Sequence, residues 1–174
     1  HNGLENWHAL TKWKKEGLFN PAVTMMLGTH ALDHHGRDSH MRPLNNDTVT
    51  TRAVKIVVHE ITGDLSPSQE RLNRMVLDIH QAGLQAALHC VEENTINAAC
   101  NAIEYALQHI PKDDHRHRIE HCSVCTPDLI KRIALIGITV VTQPVFLYYS
   151  GDRYLETVPS EQLKNLYPIS SLLQ

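Results

Sequence analysis

The stretch 83–90, Gly83-Leu84-Gln85-Ala86-Ala87-Leu88-His89-Cys90, has a later echo at 116–122, Arg116-His117-Arg118-Ile119-Glu120-His121-Cys122. Each reads as a short strand that ends in a histidine followed by a cysteine. A helix closing on Gly83 precedes the first, and a helix opening at Thr126-Pro127 follows the second. Strand, histidine, helix, strand, histidine, helix is the order in which a parallel α/β barrel displays ligands, because barrel sites sit where strands end and loops begin.

Upstream, the run AVKIVVHE at 53–60 is a strand rich in β-branched residues. Alternation gives Val54, Ile56 and Val58 one face and Lys55, Val57 and His59 the other. An apolar face under helices puts Lys55 and His59 inside, where burial disfavours the ammonium form. A neutral Lys55 is a nucleophile, or takes up carbon dioxide to become a carbamate that binds metal through oxygen. Equally, Lys55 reaches solvent or pairs with Glu60. The run Ser66-Pro67-Ser68-Gln69 predicts a helix start with Ser66 as N-cap, and Leu72, Met75, Val76 and Ile79 form its buried stripe. Asn94 or Thr95 caps the helix after His89.

Downstream, alternation back from His121 places His117, Ile119 and His121 inward and sends Arg118 and Glu120 toward the helices. The run ITVVTQP at 138–144 is the next strand, with Gln143 as a polar lining residue. Residues 145–159 read as an aromatic loop in which Tyr148 shapes a substrate pocket, a solvated loop being the plainer alternative. Toward the N-terminus, 3–17 predict a helix and 21–28 a strand. The polar segment 29–50 reads as a long loop, and such loops are functional or disordered. Its His34 and His35 could bind metal, although nothing periodic fixes them.

A chain of 174 residues is one domain, 1–174. A complete barrel of eight strand-helix units needs about 250 residues, so this chain holds only part of one. The net charge of -3 gives no reason to expect nucleic acid. No apolar run is long enough for a membrane and no signal peptide opens the chain. Four cysteines outside a short secreted framework point to reduced thiols and a cytoplasmic setting. Glycine-rich phosphate loops and the G-x-S-x-G elbow are missing, which removes the motifs of nucleotide binding and serine hydrolysis.

Neutral imidazoles at the ends of adjacent strands could hold a zinc-type ion, which brings the pKa of bound water to about 7. A single strand-end histidine is more often a packed residue; two at matching positions favour ligation. The rival metal reading takes Cys122, Cys125 and Cys90 as a structural zinc site, and buried inert thiols are the simpler account. Cys90 as a nucleophile beside His89 is disfavoured, since neighbours on a strand point to opposite faces.

In order and spacing, VKIVVHE, GLQAALHC, RHRIEHC and GITVVTQP resemble the amidohydrolase superfamily, in the branch called amidohydrolase family 3, over residues 50–174. RHRIEH is the most specific piece. The resemblance implies a metal-dependent hydrolase on a (β/α)8 TIM-type barrel, cleaving C–N bonds of small amide-like substrates with metal-activated water. It implies Lys55 as a carbamylated bridge on the fourth strand, His89 and His121 as metal ligands on the fifth and sixth, and Gln143 in the pocket. Zinc is the expected ion. The first-strand H-x-H and the eighth-strand aspartate, the general base, are not in this chain, and His59 stands where similar sequences often carry aspartate. The chain is therefore expected to be a partial barrel lacking its first and last strands. Its exposed edges invite self-association into a homo-oligomer. The alternative is a non-catalytic barrel fragment that binds a ligand or self-associates.

Overall fold

The computed structural model describes residues 3–29 and 49–173. His34 and His35 lie outside the described residues. Helix α1 (Leu4–Lys15) leads to β1 (Val23–Gly28), β2 (Val49–Val57) and a small hairpin of β3 (His59–Ile61) and β4 (Asp64–Ser66). Three strand-helix alternations follow: α2 (Gln69–Gln81), β5 (Gln85–Cys90), α3 (Glu93–His109), β6 (Arg118–His121), α4 (Pro127–Ile136) and β7 (Thr139–Val141). Helices α5 (Val145–Thr157), α6 (Ser160–Leu163) and α7 (Ile169–Leu172) close the described chain.

Strands β1, β2, β5, β6 and β7 form one sheet in that order, and every pairing is parallel. Each new strand adds beside the last, as helical crossovers between parallel strands dictate. The fold is thus α/β with a parallel sheet, its edges at β1 and β7 among the described residues. Strands β3 and β4 pair antiparallel and apart from it. None of the described helices is long and apolar enough to cross a membrane.

The helical face carries the core. Val54 and Ile56 of β2, Leu88 of β5 and Ile119 of β6 are buried with Leu72, Val76 and Ile79 of α2 and Ile96 and Ile103 of α3. Burial of one such side chain is worth about 1.5–3 kcal/mol. Helix α3 also buries Ala98, Ala99, Ala102 and Ala106, small residues that let helix and sheet approach closely.

Local signals read correctly at α4, where Thr126 caps, Pro127 opens and Gly137 ends the helix at φ 79. Two other readings are corrected. The cap of α2 is Ser68, whose side chain accepts from the Arg71 N–H at 3.5 Å, because Ser66 is already committed to β4. The N-cap of α3 is Glu92, one turn before the polar pair 94–95, and the Thr95 hydroxyl donates to its carbonyl at 2.7 Å. The segment read as an aromatic loop is mostly helix α5. Its Ser-Gly-Asp run looks like a turn, but helix tolerates one glycine at a cost of about 1 kcal/mol.

Candidate metal centre

Register decides which side chains meet. Gly28, Lys55, Ala87 and Arg118 lie in one row across four strands. The next row runs Val57, His89, Glu120. Paired residues of a parallel sheet share a face, so Lys55, His89, Arg118 and Glu120 all point away from the helices. This corrects the sequence reading, which sent Arg118 and Glu120 to the helical side. There instead stand His117 and Ile119, both fully buried.

The inversion has a backbone cause. Counting back from His121 assumed a regular pleat, but His121 has φ 75 and Cys122 φ 51. Both are left-handed, a conformation that costs an ordinary residue about 1–2 kcal/mol. The strand's alternation ends at Glu120, and His121 leaves its regular position opposite Cys90. Its ring ends 4.4 Å from that of His89, centre to centre and edge to face. Two histidines from adjacent strand ends are brought together, as expected, through a turn the sequence did not reveal.

The pair is embedded in polar and aromatic neighbours. Nδ1 of His121 lies 2.6 Å from Oε1 of Gln143, just past the end of β7. The Phe146 ring lies 6.5 Å from that of His121, near parallel at 26°. Burial, then the neighbouring His121 and Lys55 charges, hold the His89 pKa below its ordinary value. That favours the neutral imidazole a metal requires.

Lys55 is half-buried below this pair. It lines a cavity of about 560 Å³ with Glu120, Leu10, Met25 and Met26. Desolvation lowers its pKa, opposed by the Glu120 carboxylate and reinforced by the Arg118 guanidinium. Arg118 Nε lies 2.6 Å from Glu120 Oε1, and Glu120 is only 7% exposed. The contact lacks hydrogen-bond alignment and so acts as a charge pair. The sequence signal for this buried cluster is the Arg118-x-Glu120 spacing, which puts both charges on one face of β6.

Two expected pocket residues stand elsewhere. His59 opens the separate hairpin and is exposed, because β2 ends at Val57 before alternation could carry it inward. Tyr148 is 85% exposed and packs edge-on against Tyr149. The aromatic residue beside the histidines is Phe146. It is placed three residues after Gln143 by the turn that starts α5, where its N–H donates to the Gln143 carbonyl at 3.1 Å.

The donor set fits a divalent ion in part. Imidazoles sharing an ion through Zn–N bonds of about 2.0–2.1 Å bring their rings within a few Å of each other, as these rings are. Among the described residues no three His, Cys, Asp or Glu side chains form a metal set. Lys55, once carbamylated, would offer oxygen from the same face. The four cysteines are buried and unpaired, and they form no metal set either.

Fold and site define a parallel α/β protein with two histidines brought together at the C-terminal ends of neighbouring strands. The chain belongs to the amidohydrolase family, whose model matches residues 10–174. It is 24% identical over 177 residues to "Putative amidohydrolase YtcJ" of Bacillus subtilis (strain 168), a match over 99% of this chain and 30% of that protein. It also superposes on crystal structures of uncharacterized metal-dependent hydrolases from Pyrococcus horikoshii OT3 and Pyrococcus furiosus. Both give a TM-score of 0.79 over 97% of this chain, at 21% and 20% identity, and cover 37% and 38% of those chains. The chain thus spans about a third of the length of these relatives.

Proposed function

We propose that this chain is the central-to-late segment of a (β/α)8 barrel hydrolase that cleaves the C–N bond of a small amide-like substrate. One observation carries the reading: His89 and His121, from adjacent strand ends, meet ring to ring at 4.4 Å. His89, His121 and a carbamylated Lys55 would hold a divalent ion, with zinc the best match to two imidazoles and an oxygen donor. Such an ion supplies an activated water and polarises the scissile carbonyl.

The chain's own residues prepare that site. Burial lowers the His89 pKa and so favours the neutral imidazole, whose lone pair a metal can take. The Arg118–Glu120 pair sets the charge around Lys55. Phe146 lies beside His121 with its ring near parallel at 6.5 Å. The general base falls to a residue of the longer protein. A second copy covers the β1 or β7 edge, and light scattering of the chain in solution should then give a mass above the monomer's.

The test is hydrolysis of a panel of amides and N-acyl compounds by the complete protein. Turnover abolished by a chelator and restored by zinc is the expected result. A complete protein that binds metal but hydrolyses nothing on the panel would favour a ligand-binding module.

A further inference from the structure

We infer that Gln143 is a positioning residue: it fixes His121 as the Nδ1–H tautomer and leaves the Nε2 lone pair for a divalent ion. The last step rests on the function proposed above; the hydrogen bond does not.

The chemistry of the contact leaves little choice. Oε1 of Gln143 is a carbonyl oxygen and only accepts. At 2.6 Å from Nδ1 of His121 it requires a proton on that nitrogen. A neutral imidazole carries one N–H, so Nε2 is bare. The ring also needs such a partner more than most. His121 sits at φ 75, where the strand pleat no longer sets the direction of its side chain. Without Gln143, its described neighbours are the His89 ring at 4.4 Å and the Phe146 ring at 6.5 Å, neither of which selects a tautomer by this bond.

Gln143 is itself held in place. The backbone reaches it from β7, paired in register with β6 up to Val141 opposite Glu120. Pro144 follows at φ -61, and the Gln143 carbonyl accepts from the Phe146 N–H at 3.1 Å. The residue joins the strand end to α5 with its backbone committed on both sides. Its side chain is half-buried. Partners of this kind typically change metal affinity about 10–100-fold when removed.

The experiment is long-range ¹⁵N–¹H NMR of the imidazoles in the full chain, metal-free, above the histidine titration range. His121 is assigned by the signals lost in His121→Ala, and buried His117 reports that each variant is folded. The expected wild-type result is a protonated Nδ1 and a bare Nε2. Gln143→Leu should populate the other tautomer, and Gln143→Glu, which keeps an acceptor, should restore the first. In a parallel zinc titration, Gln143→Leu should weaken binding about 10–100-fold and Gln143→Glu should recover it. A wild-type Nε2–H tautomer, or a tautomer unchanged in Gln143→Leu, overturns the inference. A wild-type chain that binds no zinc sinks the proposed centre, and the tautomer still decides the role of Gln143.

Discussion

Nδ1 of His80 in α2 lies 2.9 Å from Nε2 of His117, just ahead of β6, in the buried layer between helices and sheet. The bonds around this pair fix every proton. The Ala86 N–H donates to His117 Nδ1 at 2.9 Å, so His117 carries its proton on Nε2 and donates to His80. His80 in turn donates from Nε2 to the Ile110 carbonyl at 2.8 Å. His115 extends the system, accepting from the His117 N–H on Nδ1 and donating from Nε2 to the Ile136 carbonyl. Three neutral histidines thereby tie β5 to the ends of α2, α3 and α4.

Protonating His117 would set a second ring N–H against the Ala86 N–H. Burial first, then the neighbouring His115 and His80, lower its pKa from 6.5 to about 3. A histidine whose folded pKa is depressed contributes stability that is present above its unfolded pKa and lost as pH falls through the folded one. Melting temperature should therefore fall as pH drops from about 6.5 toward about 3, with a loss on the order of a few kcal/mol. His117→Gln should be less stable at pH 7 and flatter across that window in urea titrations. An unchanged acid profile would remove the relay from the account.

Arg132 of α4 clasps α3. Its guanidinium donates to both Glu104 oxygens, at 3.1 and 2.6 Å, and to Asn97 and Asn101 at 2.6 and 2.7 Å. Lysine offers no fork to replace this geometry. Arg132→Lys should cost about 1–2 kcal/mol by chemical denaturation, since the site is only partly shielded from water. A loss below about 0.5 kcal/mol would mean the helices pack without the clasp.

The thiols should be inert. Burial pushes Cys100 up to about 12 and Cys90 higher still. Cys122 is likewise raised, mainly by its hydrogen bond to Cys125, whose own pKa that bond lowers. All four are buried. Titration with an aromatic disulfide reagent should be slow in the folded chain and complete in denaturant, with Cys125 first to react. Rapid reaction of any thiol in native buffer would contradict the buried cluster.

Phe146 and Tyr148 should separate cleanly. Tyr148→Ala removes an exposed ring and should change stability and zinc affinity little, within about 0.5 kcal/mol. Phe146→Ala removes the ring beside His121 and should weaken zinc binding. Equal effects from the two variants would contradict the placement of α5.

Much of this was legible because it depends on pattern alone. The β-branched run around Lys55 and the histidines closing 83–90 and 116–122 follow from alternation and from the helix signals between them. What failed depended on single backbone angles or on competition between neighbours. The left-handed turn at His121 and Cys122 ends the pleat after Glu120, so counting back from His121 places Arg118 and Glu120 on the wrong face. Ser66 pairs in a hairpin, so the cap passed to Ser68. His59 lies two residues past the end of β2, whose alternation would otherwise have included it. Helix α5 buries none of its residues, so no apolar stripe was present to announce it.

The central claim is that His89 and His121 share one metal ion. Its most direct test is the metal content of the zinc-loaded, desalted chain beside His89→Ala and His121→Ala, each checked for folding by circular dichroism. About one ion per wild-type chain is expected, lost in both folded variants. Metal absent from the wild type, or retained when either histidine is removed, would contradict it.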